Sequence, residues 1–82
     1  MVRRSYTKEV GVAEYGFYHH AIAALVERRK ELGFSQDRVA HLIGFSEGMV
    51  AKWEALDRLP TAFSLMCWCN ALGVTLEIVE KK

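Results

Sequence analysis

Ser35-Gln36-Asp37-Arg38-Val39-Ala40-His41-Leu42-Ile43-Gly44-Phe45-Ser46-Glu47-Gly48-Met49-Val50-Ala51-Lys52-Trp53-Glu54 is the stretch whose reading decides the fold. Ser35 has the hydroxyl that caps a helix N-terminus, and Val39, Leu42 and Ile43 follow it at the spacing of one helix face. Gly44 tolerates the left-handed conformation that closes such a helix. Ser46 then predicts a second cap, with Val50, Trp53 and Asp57 on one side of the next helix and Gly48, Ala51, Lys52 and Ala55 on the other. A link of only Gly44, Phe45 and Ser46 forces the two helices to cross steeply. Small Ala40 suits the close approach, and Val50 is the apolar residue pointing back at it.

The same logic extends in both directions. Tyr15, Tyr18, Ile22, Leu25, Arg29 and Leu32 recur at steps of three and four and predict a helix that Gly33 ends, preceded by an N-terminal arm over residues 1–14. Downstream, Pro60 forbids continuation and Thr61 caps a helix whose buried stripe is Leu65, Trp68, Cys69 and Leu72, before Gly73. From Val74 the period changes to two: Val74, Leu76 and Ile78 alternate with Thr75, Glu77 and Val79, which predicts a short strand over residues 74–80. A lone strand leaves its edges unsatisfied, so its expected partner is the segment around Ser5 to Val10 or the same strand of another subunit. The expectation is a single all-α domain over residues 1–82, of four or five helices with a short C-terminal β-strand and a helix-turn-helix over residues 35–57.

Composition narrows the function classes. With 51% apolar and 26% charged residues the chain is globular, and no apolar stretch approaches the roughly 20 residues of a membrane span. The N-terminus, with Lys8, Glu9 and Glu14, does not resemble an export signal, so a cytoplasmic location with Cys67 and Cys69 reduced is expected. Those cysteines are two apart on a helix and point about 200° apart, which disfavours chelation, and His19 and His20 lack zinc-like spacing. No metal or cofactor is expected. Nor does any nucleophile, base and orienting group converge in the pattern, so the reading is not an enzyme. Net charge is only +1, with the basic residues clustered at Arg3, Arg4 and Lys8, at Arg28, Arg29 and Lys30, and at Lys81 and Lys82.

Taken with its spacing, the set Arg29, Gly33, Ser35-Gln36, Val39-Ala40, Gly44, Ser46, Val50, Trp53-Glu54, Pro60, Leu65 and Ala71-Leu72-Gly73-Val74 resembles the Cro and lambda-repressor-like, or XRE-type, helix-turn-helix family over about residues 21–78. Leu56 stands where that family commonly has a glycine. The resemblance implies that the helix beginning near Ser46 lies in the DNA major groove, with Glu47, Gly48, Ala51 and Lys52 at the reading positions. There Lys52 can donate to guanine O6 or N7, Glu47 can accept from cytosine N4, Ala51 can touch a thymine methyl, and Gly48 offers backbone. It further implies phosphate contacts from Ser35, Gln36, Arg38, Ser46 and Arg58, and an ion pair of Arg29 with Glu54 that orients the reader.

The implied function is a sequence-specific transcriptional regulator of bacterial or phage origin. Its expected action is repression, by a chain without a sensor domain that occupies a near-palindromic operator in double-stranded DNA. A homodimer is expected through Val74, Leu76, Ile78, Phe63 and Met66, because the strand lacks an assured partner and one recognition helix reads few base pairs. The alternative reading is a protein-interaction module on the same fold, antitoxin-like or a phage accessory protein, with a toxin or other protein as partner.

Overall fold

The computed structural model describes residues 8–77, with side chains from Gly16 onward except that of Phe17. Four helices make up the described residues: α1 Lys8–Leu32, α2 Gln36–Leu42, α3 Met49–Glu54 and α4 Ala62–Leu72.

All four helices stop in the same way. At the end of α1 the Phe34 N–H donates to the Arg29 carbonyl at 3.1 Å and the Gly33 N–H to the Lys30 carbonyl at 3.0 Å. This paired pattern satisfies carbonyls that a helix end would otherwise leave bare. It recurs with Phe45 and Gly44 after α2, with Asp57 and Leu56 after α3, and with Val74 and Gly73 after α4. The motif requires a left-handed residue, and Gly33, Gly44 and Gly73 supply it at φ 75°, 80° and 71°. After α3 the position falls to Leu56, at φ 62°. The N-termini are capped as their residue types predict at two helices, where Ser35 Oγ accepts from the Arg38 N–H at 3.0 Å and Thr61 Oγ1 from the Ser64 N–H at 3.1 Å.

The core lies where these helices converge. Ile22 and Leu25 of α1, Val39 and Ala40 of α2, Val50 and Trp53 of α3, and Leu65, Trp68, Cys69 and Leu72 of α4 are all buried. The stripe expected of α4 is therefore the one that it buries. Trp53 bridges the layers, its ring 5.0 Å from Phe45 and 5.4 Å from Trp68 between centroids. Such pairs add roughly 0.5–1.5 kcal/mol beyond the area they bury. Tyr18, Phe34, Met49 and Val74 pack around this centre. By contrast Leu32 and Leu42, expected on buried faces, are exposed.

Three expectations change. First, α1 begins at Lys8, so the second half of the arm expected over residues 1–14 is helical; nothing between Lys8 and Tyr15 breaks a helix except Gly11, which costs only about 1 kcal/mol. Residues 1–7 lie outside the described residues. Second, the C-terminal strand is not present over Val74–Glu77, which run without regular structure, while Ile78 and the rest of the expected strand lie outside the described residues. The physical reason is that residues 8–10, part of one expected partner segment, are helical in α1, and Val74 packs on the core instead of alternating. Third, Ser46 is not the cap of α3, which starts at Met49 with Gly48 in the N-cap position.

Candidate nucleic-acid interface

α2 and α3 form one unit because each buries its apolar residues at their junction. Val39 and Val50 are fully buried and Ala40 nearly so, leaving α3 seated on α2 with its opposite side outward. Ser46, Glu47, Lys52 and Ala55 are exposed on that outer side, while Gly48 and Ala51 are half-buried. The four residues expected at the reading positions thus lie in the turn before α3 and on its first turns, along one surface.

A charged network fixes the far end of α3. The Arg29 guanidinium donates from Nε to Glu54 Oε2 at 2.7 Å and from a terminal nitrogen to Glu54 Oε1 at 3.0 Å, a bidentate pair whose side chains are 11% and 8% exposed. Its remaining arm donates to the Phe34 carbonyl at 2.8 Å, in the turn after α1. Gln36 joins them, its Nε2 donating to Glu54 Oε1 at 2.8 Å. Bidentate arginine–carboxylate geometry is directional, so the network sets the orientation of α3 relative to α1 and α2 as well as its distance.

The near end of α3 is held differently. Gly48 adopts φ 87° and ψ −13° and has no side chain with which to cap. Its N–H donates instead to Asp37 Oδ1, at 3.0 Å, from the first turn of α2. Ser46 contributes only its carbonyl, which accepts from the Met49 N–H at 3.2 Å.

The residues expected to meet phosphates are more scattered. Ser35 and Arg38 are exposed at the start of α2, the Arg38 guanidinium lying 5.8 Å from the centre of the Phe34 ring. Arg58 is exposed beyond α3, and Gln36 is half-buried. Two ties were not legible in the residue pattern: Gln36 to Glu54, and Asp37 to Gly48. Each spans many residues, and a local pattern announces only neighbours; the single hint was a glycine at an N-cap position with a carboxylate one turn into the preceding helix. Charge across the unit is balanced, Arg38, Lys52 and Arg58 facing Asp37, Glu47 and Asp57, while Arg29 offsets Glu54.

With this geometry in place, a helix-turn-helix family model matches residues 25–79, from the middle of α1 past the end of α4. The chain belongs to the XRE-type helix-turn-helix family. That is a family of DNA-binding regulators, typically without enzymatic activity. Neither the comparison with curated proteins nor that with solved structures returns a match. In a helix-turn-helix the second helix is the one that enters the groove, and α3 holds that second position in this unit. Among the described residues no helix is long and apolar enough to cross a membrane.

Proposed function

We propose that the protein is a sequence-specific DNA-binding repressor acting as a homodimer. The observation that carries this reading is the mounting of α3: both of its ends are tied by hydrogen bonds to other elements, while Glu47, Lys52 and Ala55 remain exposed. A short helix held rigidly with its outer face bare is suited to a groove, because a preorganised reader loses little conformational freedom on binding. Lys52 donates to a guanine edge, Glu47 accepts from cytosine, Ala51 contacts a thymine methyl, and Gly48 lets the backbone approach. Ser35, Arg38, Ser46 and Arg58 meet the phosphates, and the free amide positions of Gln36 serve there while its bond to Glu54 holds it in place.

The dimer is proposed along the outer face of α4. Phe63 is 73% exposed, Met66 61% and Leu76 49%, and Met66 and Leu76 line a groove together with Cys69, Asn70, Val74 and Thr75. Two copies joined there would present two α3 helices to successive major grooves about 34–36 Å apart. Occupancy of such a site blocks transcription without any further activity.

Lys52→Ala tests the reading face. We expect folding to survive, specific affinity to fall by about 1–3 kcal/mol, and the preference at one base pair to relax. Unchanged affinity together with an unchanged selected sequence would place the reading surface elsewhere.

A further inference from the structure

We propose that Asp37 is a positioning residue for α3 that also lowers indiscriminate affinity for DNA: its carboxylate clamps the Gly48 amide, and its charge opposes every phosphate backbone alike. This rests on the reading of α3 as the DNA-contacting helix. The anchors of α3 are unequal. Its last residue, Glu54, receives three hydrogen bonds from Arg29 and Gln36. Its first turn has no acidic residue and no side-chain cap of its own. The bond from Gly48 N–H to Asp37 Oδ1 is therefore the side-chain tie at the end that carries Glu47, Gly48 and Ala51.

A Cβ built on Gly48 would meet nothing within 4 Å, so in that direction no group packs against the turn at φ 87°, although Gly48 itself is half-buried. Val50 anchors the inner side of α3, two residues beyond Gly48 and next to Ala51. Loss of the Asp37 carboxylate oxygen leaves the Glu47–Gly48 turn with its backbone bonds, Met49 N–H to the Ser46 carbonyl and Lys52 N–H to the Gly48 carbonyl, but without its side-chain tie to α2, so it loosens while the core stays intact. Base contacts demand placement within a fraction of an ångström, whereas phosphate contacts by flexible cations do not, so the loss falls on selectivity.

The charge acts separately from the hydrogen bond. Asp37 is exposed beside Gln36 at the start of α2, in a helix-turn-helix with no excess of positive charge. A carboxylate on a surface that meets phosphates subtracts from binding to all sequences equally and leaves the base contacts to supply the affinity.

Asn and Ala variants separate the two effects, because an asparagine oxygen accepts the same bond without the charge. For Asp37→Asn we expect affinity for mixed genomic DNA to rise about two- to fivefold at low salt, a steeper salt dependence, and an unchanged selected consensus. For Asp37→Ala we expect a folded, helical protein whose ratio of specific to mixed-DNA affinity falls about tenfold and whose consensus is relaxed. Equal ratios in Asp37→Ala and the unmodified protein would overturn the proposal. Hydrogen exchange of the Gly48 amide, followed by NMR without DNA, isolates the clamp: slow in the unmodified protein and Asp37→Asn and fast in Asp37→Ala supports it, and equal rates in all three overturn it. If the unmodified protein binds no DNA, the reading of α3 fails on its own while the exchange rates still decide the clamp.

Discussion

Leu56 occupies, at φ 62°, the left-handed position that Gly33, Gly44 and Gly73 fill after the other helices. A leucine there costs about 1–2 kcal/mol of backbone strain, partly offset by packing its half-buried side chain on the core. The glycine that the family commonly has at this position suits the same left-handed conformation, a link that the sequence reading of Leu56 did not draw. The consequence is an inverted order of stability. Leu56→Gly should melt higher than Leu56→Ala by the equivalent of about 1 kcal/mol, although alanine ordinarily exceeds glycine by a similar amount within a helix. Thermal denaturation of the two variants checks this, and alanine melting higher would remove the strain argument. The two cysteines likewise differ by burial. Cys69 is 3% exposed, and burial pushes its thiol above the usual cysteine range, whereas Cys67 is half-buried on the same helix. Above the ordinary cysteine pKa the unfolded chain ionises this thiol while the folded chain keeps it neutral, so stability declines as pH rises through that window. Iodoacetamide at mildly alkaline pH should label Cys67 in the native protein and reach Cys69 only when denaturant is added, as mass spectrometry can record.

At the scale of elements, the position of α3 is set by three groups: the buried Val50 and Trp53, the Asp37 clamp, and the network of Arg29, Gln36 and Glu54. Removing Glu54 strands a nearly buried guanidinium, and Glu54→Ala should cost about 3–5 kcal/mol in chemical denaturation. Glu54→Gln, which keeps an oxygen acceptor, should cost less. Equal costs for the two would mean that charge outweighs hydrogen bonding in this network. What the residues disclosed about the elements follows from range. The caps Ser35 and Thr61, the stops at Gly33, Gly44 and Gly73, and the buried stripe of α4 depend on neighbours a turn away, and such patterns are visible in a one-dimensional string. The start of α1 was not visible, because Lys8 to Glu14 lacks the apolar period that marks a packed helix but also lacks a breaker. The strand expected after Val74 is not formed over Val74–Glu77 although its alternation was present: residues 8–10, part of one expected partner segment, lie in α1, and Val74 turns to the core. Gln36 was assigned to phosphate by family position alone, and its bond to Glu54, eighteen residues away, had no local trace.

At the scale of the whole molecule, the described residues leave Phe63 and Met66 standing in solvent on the outer face of α4 while the inner face is fully packed. Apolar exposure of this kind marks a contact surface when it is contiguous. Because both side chains are already exposed in the single chain, Phe63→Glu and Met66→Glu should leave the helical content unchanged. They should nevertheless reduce the mass measured by light scattering to that of one chain and weaken operator binding. A protein that is monomeric at high concentration without any substitution would contradict the dimer and leave the fold untouched. DNA recognition itself is most directly tested by selecting bound duplexes from a random double-stranded library at physiological salt and sequencing them. The account predicts enrichment of a near-palindromic motif whose half-sites lie about one helical turn apart, and that the same selection with Lys52→Ala loses information at one symmetric pair of positions. A library returned without enrichment would contradict it.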